Sequence, residues 1–313
     1  MWPRRSVLRA PSRRARNSAS QQPPPPTRGA LKGADARAIM RSSARPACAP
    51  AGDAMRAMRL LSAAAALALL ASVAFPASAM PPADQVSTHH GGDLTIQPIH
   101  HASLLLSWDG HHVLVDPAPL GDATTVGPEF TSLPKPDVIV ITHIHADHFS
   151  PPVLEAVSGD HTVILTPRNV YEKLPPDLQK RARVLTNGAH TVVDGIPIEA
   201  VPMYNITAER LGFHPKGAGN GYILSFGGER VYIAGDTEES PELSHLRAID
   251  VAFIPMNLPF TQTPQAAAKW VRDFRPRIVY PYHYRNRDGS KSDIQWFKTL
   301  VGDASEVRLR NWY

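Results

Sequence analysis

Cysteine is almost absent from this chain of 313 residues: Cys48 is the only one. It falls in an N-terminal stretch that does not read as folded protein. A domain downstream of it therefore has no thiolate nucleophile and no thiolate metal ligand, and its lack of sulfhydryls suits an oxidising compartment. Long hydrophobic runs are equally scarce. The one example, Leu60–Phe75, is rich in alanine and short of the roughly 20 apolar residues that a bilayer span needs. No internal repeat is visible. The formal charge of +5 is an excess that the downstream chain lacks: residues 1–79 carry 13 of the 33 Lys/Arg but 2 of the 28 Asp/Glu. That leaves 20 basic against 26 acidic side chains from residue 80 onward, which removes the electrostatic case for a nucleic-acid partner.

What is present in the first 79 residues is targeting-like. Residues 1–54 are rich in Arg, Ala, Ser and Pro without hydrophobic periodicity, a composition too polar to offset its ordering entropy. They are expected to be a disordered or mis-annotated leader, with Met55 or Met58 as the true start. Residues 55–79 have a basic start, the apolar Leu60–Phe75 and then Pro76-Ala-Ser-Ala79, the layout of a secretory signal peptide cleaved after Ala79. The expectation is an exported protein, periplasmic or secreted, with no stable membrane span after cleavage.

Residues 80–93 look like a loose leader. From Leu94, short β-rich runs alternate with turns, among them Leu94–Ile99, Ser103–Ser107, His112–Val115, Val138–Ile141 and Ile196–Val201. Asp109-Gly110 and Gly227-Gly228 mark tight hairpins. Ser150-Pro151 and Thr263-Pro264 each open a helix with a capping hydroxyl and a proline in the first turn, through Val157 and about Phe274, and Ser292–Val301 reads as a third. One α/β domain over 94–313, with sheets packed inside helices, is the simplest account.

The chemistry concentrates in Val138-Ile-Val-Ile-Thr-His143-Ile-His145-Ala-Asp147-His148. A strand of β-branched residues ends, and three histidines and an aspartate crowd into six positions. In an extended segment alternate side chains share a face, so His143 and His145 can reach one metal while Asp147 and His148 face a second. Imidazole and carboxylate donors without sulfur suit Zn2+, with Mn2+ or Fe2+ as alternatives.

This His-x-His-x-Asp-His segment resembles the signature of the metallo-β-lactamase-fold hydrolases, over about residues 94–313. The resemblance implies a four-layer αββα sandwich and a dinuclear site with further ligands at later strand ends. Asp236, in Gly235-Asp236-Thr237, resembles the carboxylate that bridges the two metals, and His283, after Pro281-Tyr282, the last ligand of the second. The third histidine of the first metal is expected in the loop after Ile196–Val201. His214 is favoured there over His190, with Asn205 standing where a ligand is also conceivable. A glycine before Asp236 lets backbone approach the site closely. Asp116 is expected to hydrogen-bond the His loop rather than ligate, His101 to face the site, and His111 and His112 to be solvated turn residues. Tyr204, Tyr282, Tyr284 and Lys216 are candidate substrate contacts.

The implied activity is hydrolysis by a metal-activated water, with Asp147 orienting it, on a small-molecule or lipid-like substrate. The context of Asn205, His214-Pro215-Lys216 and Gly221-Tyr222 is similar to the branch holding ascorbate-6-phosphate lactonase and N-acyl phosphatidylethanolamine phospholipase D. That context favours an ester, lactone or phosphodiester. The alternatives are a β-lactam hydrolase and a metal-binding or sensory module without turnover. A flavodiiron-type oxidoreductase fits less well, since His145 stands where those sites carry an acid. Nothing in the sequence sets the oligomeric state.

Overall fold

A computed structural model describes residues 80–122 and 124–313. The leader and signal-peptide expectations for residues 1–79 lie outside the described residues. Two seven-stranded mixed sheets form the frame. The first runs in chain order through β1 (Asp84–Val86), β2 (Leu94–His100), β3 (Ser103–Trp108), β4 (His111–Val115), β5 (Val138–Val140), β6 (Val163–Thr166) and β7 (Ala182–Val184). The second contains β8 (His190–Val193), β9 (Ile196–Met203), β10 (Gly219–Phe226), β11 (Glu229–Ile233), β12 (Val251–Pro255), β13 (Ile278–Tyr282) and β14 (Glu306–Val307), again as neighbours in chain order. Helices α1 (Pro128–Thr131), α2 (Pro151–Val157), α3 (Arg168–Tyr171) and α4 (Pro176–Gln179) belong to the first half, and α5 (Pro264–Phe274) and α6 (Ile294–Val301) to the second. This is the metallo-β-lactamase fold, two mixed sheets flanked by helices. Among the described residues no helix is long and apolar enough to cross a membrane.

The two-residue period of a strand builds the layers. Leu104, Leu106, Val113, Val115, Val138 and Val140 face the second sheet and join one large core, while the intervening Leu105, Leu114 and Ile139 face outward and pack with Val153, Leu154 and Val157 of α2. Both faces being covered, these strands read as continuous apolar runs. Outside the second sheet, Trp270 of α5 meets Tyr232 edge to face at 6.0 Å. Ser150 and Thr263 cap α2 and α5 as expected, accepting from the amides of Val153 and Ala266. The cap of α6 is Asp293, one residue beyond the expected start, because its carboxylate accepts from Trp296 N at 2.8 Å.

The segment expected to be loose, 80–93, is not. Asp84–Val86 pairs antiparallel with β2, and Asp84 accepts from the Tyr280 hydroxyl at 2.7 Å and pairs with Arg308 and Arg310. Three residues are too few to show alternation, so only partners distant in the chain reveal this strand. The short β7 and β14 escape notice for the same reason.

Candidate metal centre

Every side chain of the candidate centre sits just beyond a strand end or in a loop that follows one, where the two sheets meet. His143, His145, Asp147 and His148 follow β5, His214 lies in the loop after β9, Asp236 follows β11 and His283 follows β13. Hydrogen bonds between the sheets fix this edge: Asn220 N donates to Thr142 O at 2.9 Å, the Tyr222 hydroxyl to Ile141 O at 2.9 Å, and His283 N to His101 O at 3.2 Å. The backbone at the centre is unusual. Of seven described non-glycine residues with positive φ, His101, Asp116 and His283 belong to it or support it. Such conformations persist only where the surroundings over-determine them. Gly235, at φ 65°, removes a different obstacle, since a Cβ there would lie 2.6 Å from Met203 Sδ and 3.0 Å from Thr142 Cβ.

Two sets of donors result. His143, His145 and His214 form the first, with His143 Nε2 2.9 Å from His145 Nδ1. Asp147, His148 and His283 form the second together with His101; His283 Nε2 lies 3.0 Å from His148 Nε2 and 3.4 Å from Asp147 Oδ2. Asp236 stands between the sets. Its Oδ2 is 3.4 Å from His214 Nε2, while its Oδ1 is 3.5 Å from His148 Nε2 and 3.4 Å from His283 Nε2. Within each set the donor atoms lie within 4.8 Å of one another.

The donors fit a cation. His214 Nε2 and Asp236 Oδ1 are buried without a hydrogen-bond partner, a costly state for polar atoms unless a ligand satisfies them. Burial, helped by neighbouring imidazoles, holds His143 and His283 well below the usual histidine range, lowers His145, and takes His214 to about 3, so these rings are neutral and free to ligate. His148 behaves oppositely: burial pulls it down, but Asp236, Asp116 and Asp147 outweigh that and raise it to about 10. Burial raises Asp236 to about 7 despite His148. A proton attracted this strongly marks a place where the field favours positive charge.

Supporting groups aim the ligands. The wholly buried Asp116 accepts from Thr142 N at 2.7 Å and Thr142 Oγ1 at 2.6 Å, and its Oδ2 lies 2.8 Å from His148 Nδ1, which turns His148 Nε2 to the centre. His214 Nδ1 is 3.2 Å from Phe260 O, leaving Nε2 inward. Asn205 is a brace: its amide nitrogen donates to Arg210 O at 3.0 Å and Phe260 O at 2.7 Å. His190 is exposed on β8 and enters neither set. His101 Nε2 lies 2.9 Å from Asp147 Oδ2 and its Nδ1 2.7 Å from the hydroxyl of Tyr313, a residue with no sequence signal. His111 and His112 occupy the β3–β4 hairpin, where His112 Nδ1 lies 2.9 Å from Ser107 Oγ.

The expected substrate contacts are otherwise engaged. Tyr282 is buried and accepts from Gly235 N at 2.9 Å, Tyr284 bonds Arg310 O, and Tyr204 and Lys216 pair with Glu242. The cleft itself, about 300 Å³, is lined by His145, Asp147, His214 and Asp236 together with Phe213, Asn257, Phe260 and Arg287. That volume suits a small molecule or a head group. His145 and Asp147, the latter with 43 % of its side chain exposed, are the ligand candidates most open to it.

Residues 95–283 match the family model described as the beta-lactamase superfamily domain. A UPF0173 metal-dependent hydrolase of Thermococcus kodakarensis is 32 % identical over 215 residues, 66 % of this chain and 92 % of that protein. One of Pyrococcus abyssi is 31 % identical over 62 % of this chain and 87 % of its own length. A crystal structure from Parabacteroides distasonis, assigned to the metal-dependent hydrolases, is 42 % identical with a TM-score of 0.65, covering 74 % of this chain and 98 % of that one. A metallo hydrolase of Ignicoccus hospitalis, 24 % identical with a TM-score of 0.56 over 69 % of this chain and 94 % of that one, shares the fold.

Proposed function

Since this chain belongs to the metallo-β-lactamase superfamily, and within it to the UPF0173 metal-dependent hydrolases, we propose that it cleaves a small ester, lactone or phosphodiester at a dinuclear centre. In this reading His143, His145 and His214 hold the first cation, Asp147, His148 and His283 the second, and Asp236 spans both. Zn2+ is the metal favoured by the donor set, with Mn2+ or Fe2+ as alternatives. The observation that carries the reading is the pair of Asp236 oxygens, each turned to a different set of imidazoles.

With two cations bound, the centre would supply a water acidic enough to act as nucleophile near neutral pH and a Lewis acid for the bond under attack. The protein's own part is positioning. Asp147 would accept a hydrogen bond from that water and orient it. His101 holds Asp147 Oδ2, the oxygen that also faces His283, and the Tyr313 hydroxyl holds His101. The buried Asp116 keeps His148 in the tautomer that leaves Nε2 for the metal.

The branch of ascorbate-6-phosphate lactonase and N-acyl phosphatidylethanolamine phospholipase D remains our preferred kinship, supported by the Asn205 brace, the His214-Pro215-Lys216 run and a cleft of modest volume. We also propose export, with residues 55–79 as a cleaved signal peptide. The deciding experiment combines metal analysis of the purified chain with turnover of chromogenic phosphodiester, lactone and β-lactam substrates. Two metal equivalents and hydrolysis of the first or second class are expected. A single equivalent, or turnover of the β-lactam alone, would refute the proposal.

A further inference from the structure

Arg287 lies in the loop after β13, four residues past His283, and lines the same cleft as His145, Asp147, His214 and Asp236. We propose that it makes the mouth of this cleft a receptor for an oxyanion that the substrate carries apart from the bond being cut. The proposal rests on the hydrolytic reading of the cleft, and its test lets the two fail separately.

The guanidinium is pre-positioned. Its carbon sits 5.0 Å from the Phe260 ring centroid and 5.7 Å from that of Phe213, two rings that themselves meet edge to face at 5.2 Å. The backbone beneath it is clasped to the loop after β12: Arg287 N donates to Leu258 O at 3.0 Å, and Leu258 N to the Asn286 side chain at 2.7 Å. Stacking on an aromatic face leaves the in-plane N–H groups of a guanidinium available, and their fork matches a carboxylate or phosphate.

The charge is also unanswered among the described residues. Arg277, Arg308 and Arg310 each pair with a carboxylate, whereas Arg287 has no such partner among the described residues. The acids of the cleft, Asp147 and Asp236, are committed to the imidazole sets. Metal loading would make the cleft more positive, which favours an anionic group on the ligand beside Arg287. Lys216, the cation that sequence offers for this task, is paired with Glu242 and does not line the cleft.

The test uses the full, metal-loaded chain as wild type, Arg287→Ala and Arg287→Lys, with Lys216→Ala as a control for net charge. Calorimetric titration with phenylphosphonate and with phenylacetate, neither hydrolysable, reads binding without turnover. Arg287→Ala should weaken at least one probe about tenfold, the equivalent of one charge-assisted hydrogen bond, with Arg287→Lys in between and Lys216→Ala unchanged. Loss with the phosphonate alone identifies a phosphate-type group, and loss with phenylacetate alone a carboxylate. In parallel, Arg287→Ala should raise KM for mono-p-nitrophenyl succinate with little change in kcat, and leave neutral p-nitrophenyl acetate unaffected. Equal affinity of wild type and Arg287→Ala for both probes, or no binding by the wild type, overturns the proposal whether or not esters are cleaved. Arg287-dependent binding without turnover of any ester would instead count against the hydrolytic reading and leave the oxyanion site standing.

Discussion

A buried carboxylate beside a histidine decides which imidazole nitrogen remains for a metal. Asp116 does this for His148, and Asp116→Asn keeps the volume while removing the negative charge and one acceptor from the Thr142–His148 network. Metal affinity should fall about 10–100-fold in a chelator competition assay, the usual size of such supporting effects; an unchanged affinity would mean that the tautomer is set elsewhere. Asp147→Ala removes a ligand candidate open to the cleft, so kcat should drop on the order of a hundredfold or more while the melting temperature of the metal-free protein barely moves. Full turnover by a metal-saturated variant would leave Asp147 without a role. At this scale the sequence is legible where residues crowd. Four candidate ligands in six positions announce themselves, and the structure brings Asp236 and His283 to them. His214 is harder to read, because eight residues of loop separate it from Asn205 and only the fold shows which of the two turns inward. Tyr313 and Arg287 carry no motif, since a lone tyrosine or arginine means nothing until its neighbours are known.

Among the elements, the strands that alternate between two apolar faces and the helices opened by Ser150 and Thr263 follow from residue pattern and capping chemistry alone. The edge strand β1 does not, because its stability comes from Asp84 reaching Tyr280 on β13 and Arg308 and Arg310 beyond β14. Partial burial raises the Asp84 pKa, but the Tyr280 hydroxyl, the Gln85 amide and the two arginines outweigh it and leave the carboxyl below its ordinary value. A carboxyl whose pKa is lower folded than unfolded stabilises the fold above its unfolded pKa of about 3.9 and loses that contribution as pH falls through the folded value. Asp84→Asn should therefore cost about 1–2 kcal/mol in urea unfolding at pH 7, discounted for partial exposure. The gap between variant and wild type should close below about pH 4. A gap that stays constant from pH 7 to pH 3 would show that packing of β1, rather than the charge on Asp84, holds this edge.

For the molecule as a whole, the two halves repeat one pairing order that the sequence hides. In each sheet the first three strand pairs are antiparallel and the last three parallel, although the chain shows no repeat in its residues. Hydrogen-bond partners, not side-chain identities, carry that symmetry. Its consequence is that the centre draws His143, His145, Asp147 and His148 from the first sheet and His214, Asp236 and His283 from the second. A cation held by either set would tie the sheets together, because each set joins side chains that follow strands of both. Ligand binding to the folded state alone stabilises by about 4 kcal/mol when free metal exceeds its dissociation constant a thousandfold. For a domain of this size each kcal/mol shifts the midpoint by roughly 2–4 °C. Chelation should therefore lower the thermal midpoint by about 8–16 °C for each cation removed, with full recovery when Zn2+ or another fitting cation is returned. The same treatment of a His148→Ala, His283→Ala double variant should produce a distinctly smaller shift, because only one set then remains to bind. If chelation leaves the wild-type midpoint untouched while activity disappears, the cation acts in chemistry alone and the sheets are held by their apolar core and the Asn220, Tyr222 and His283 hydrogen bonds across the seam.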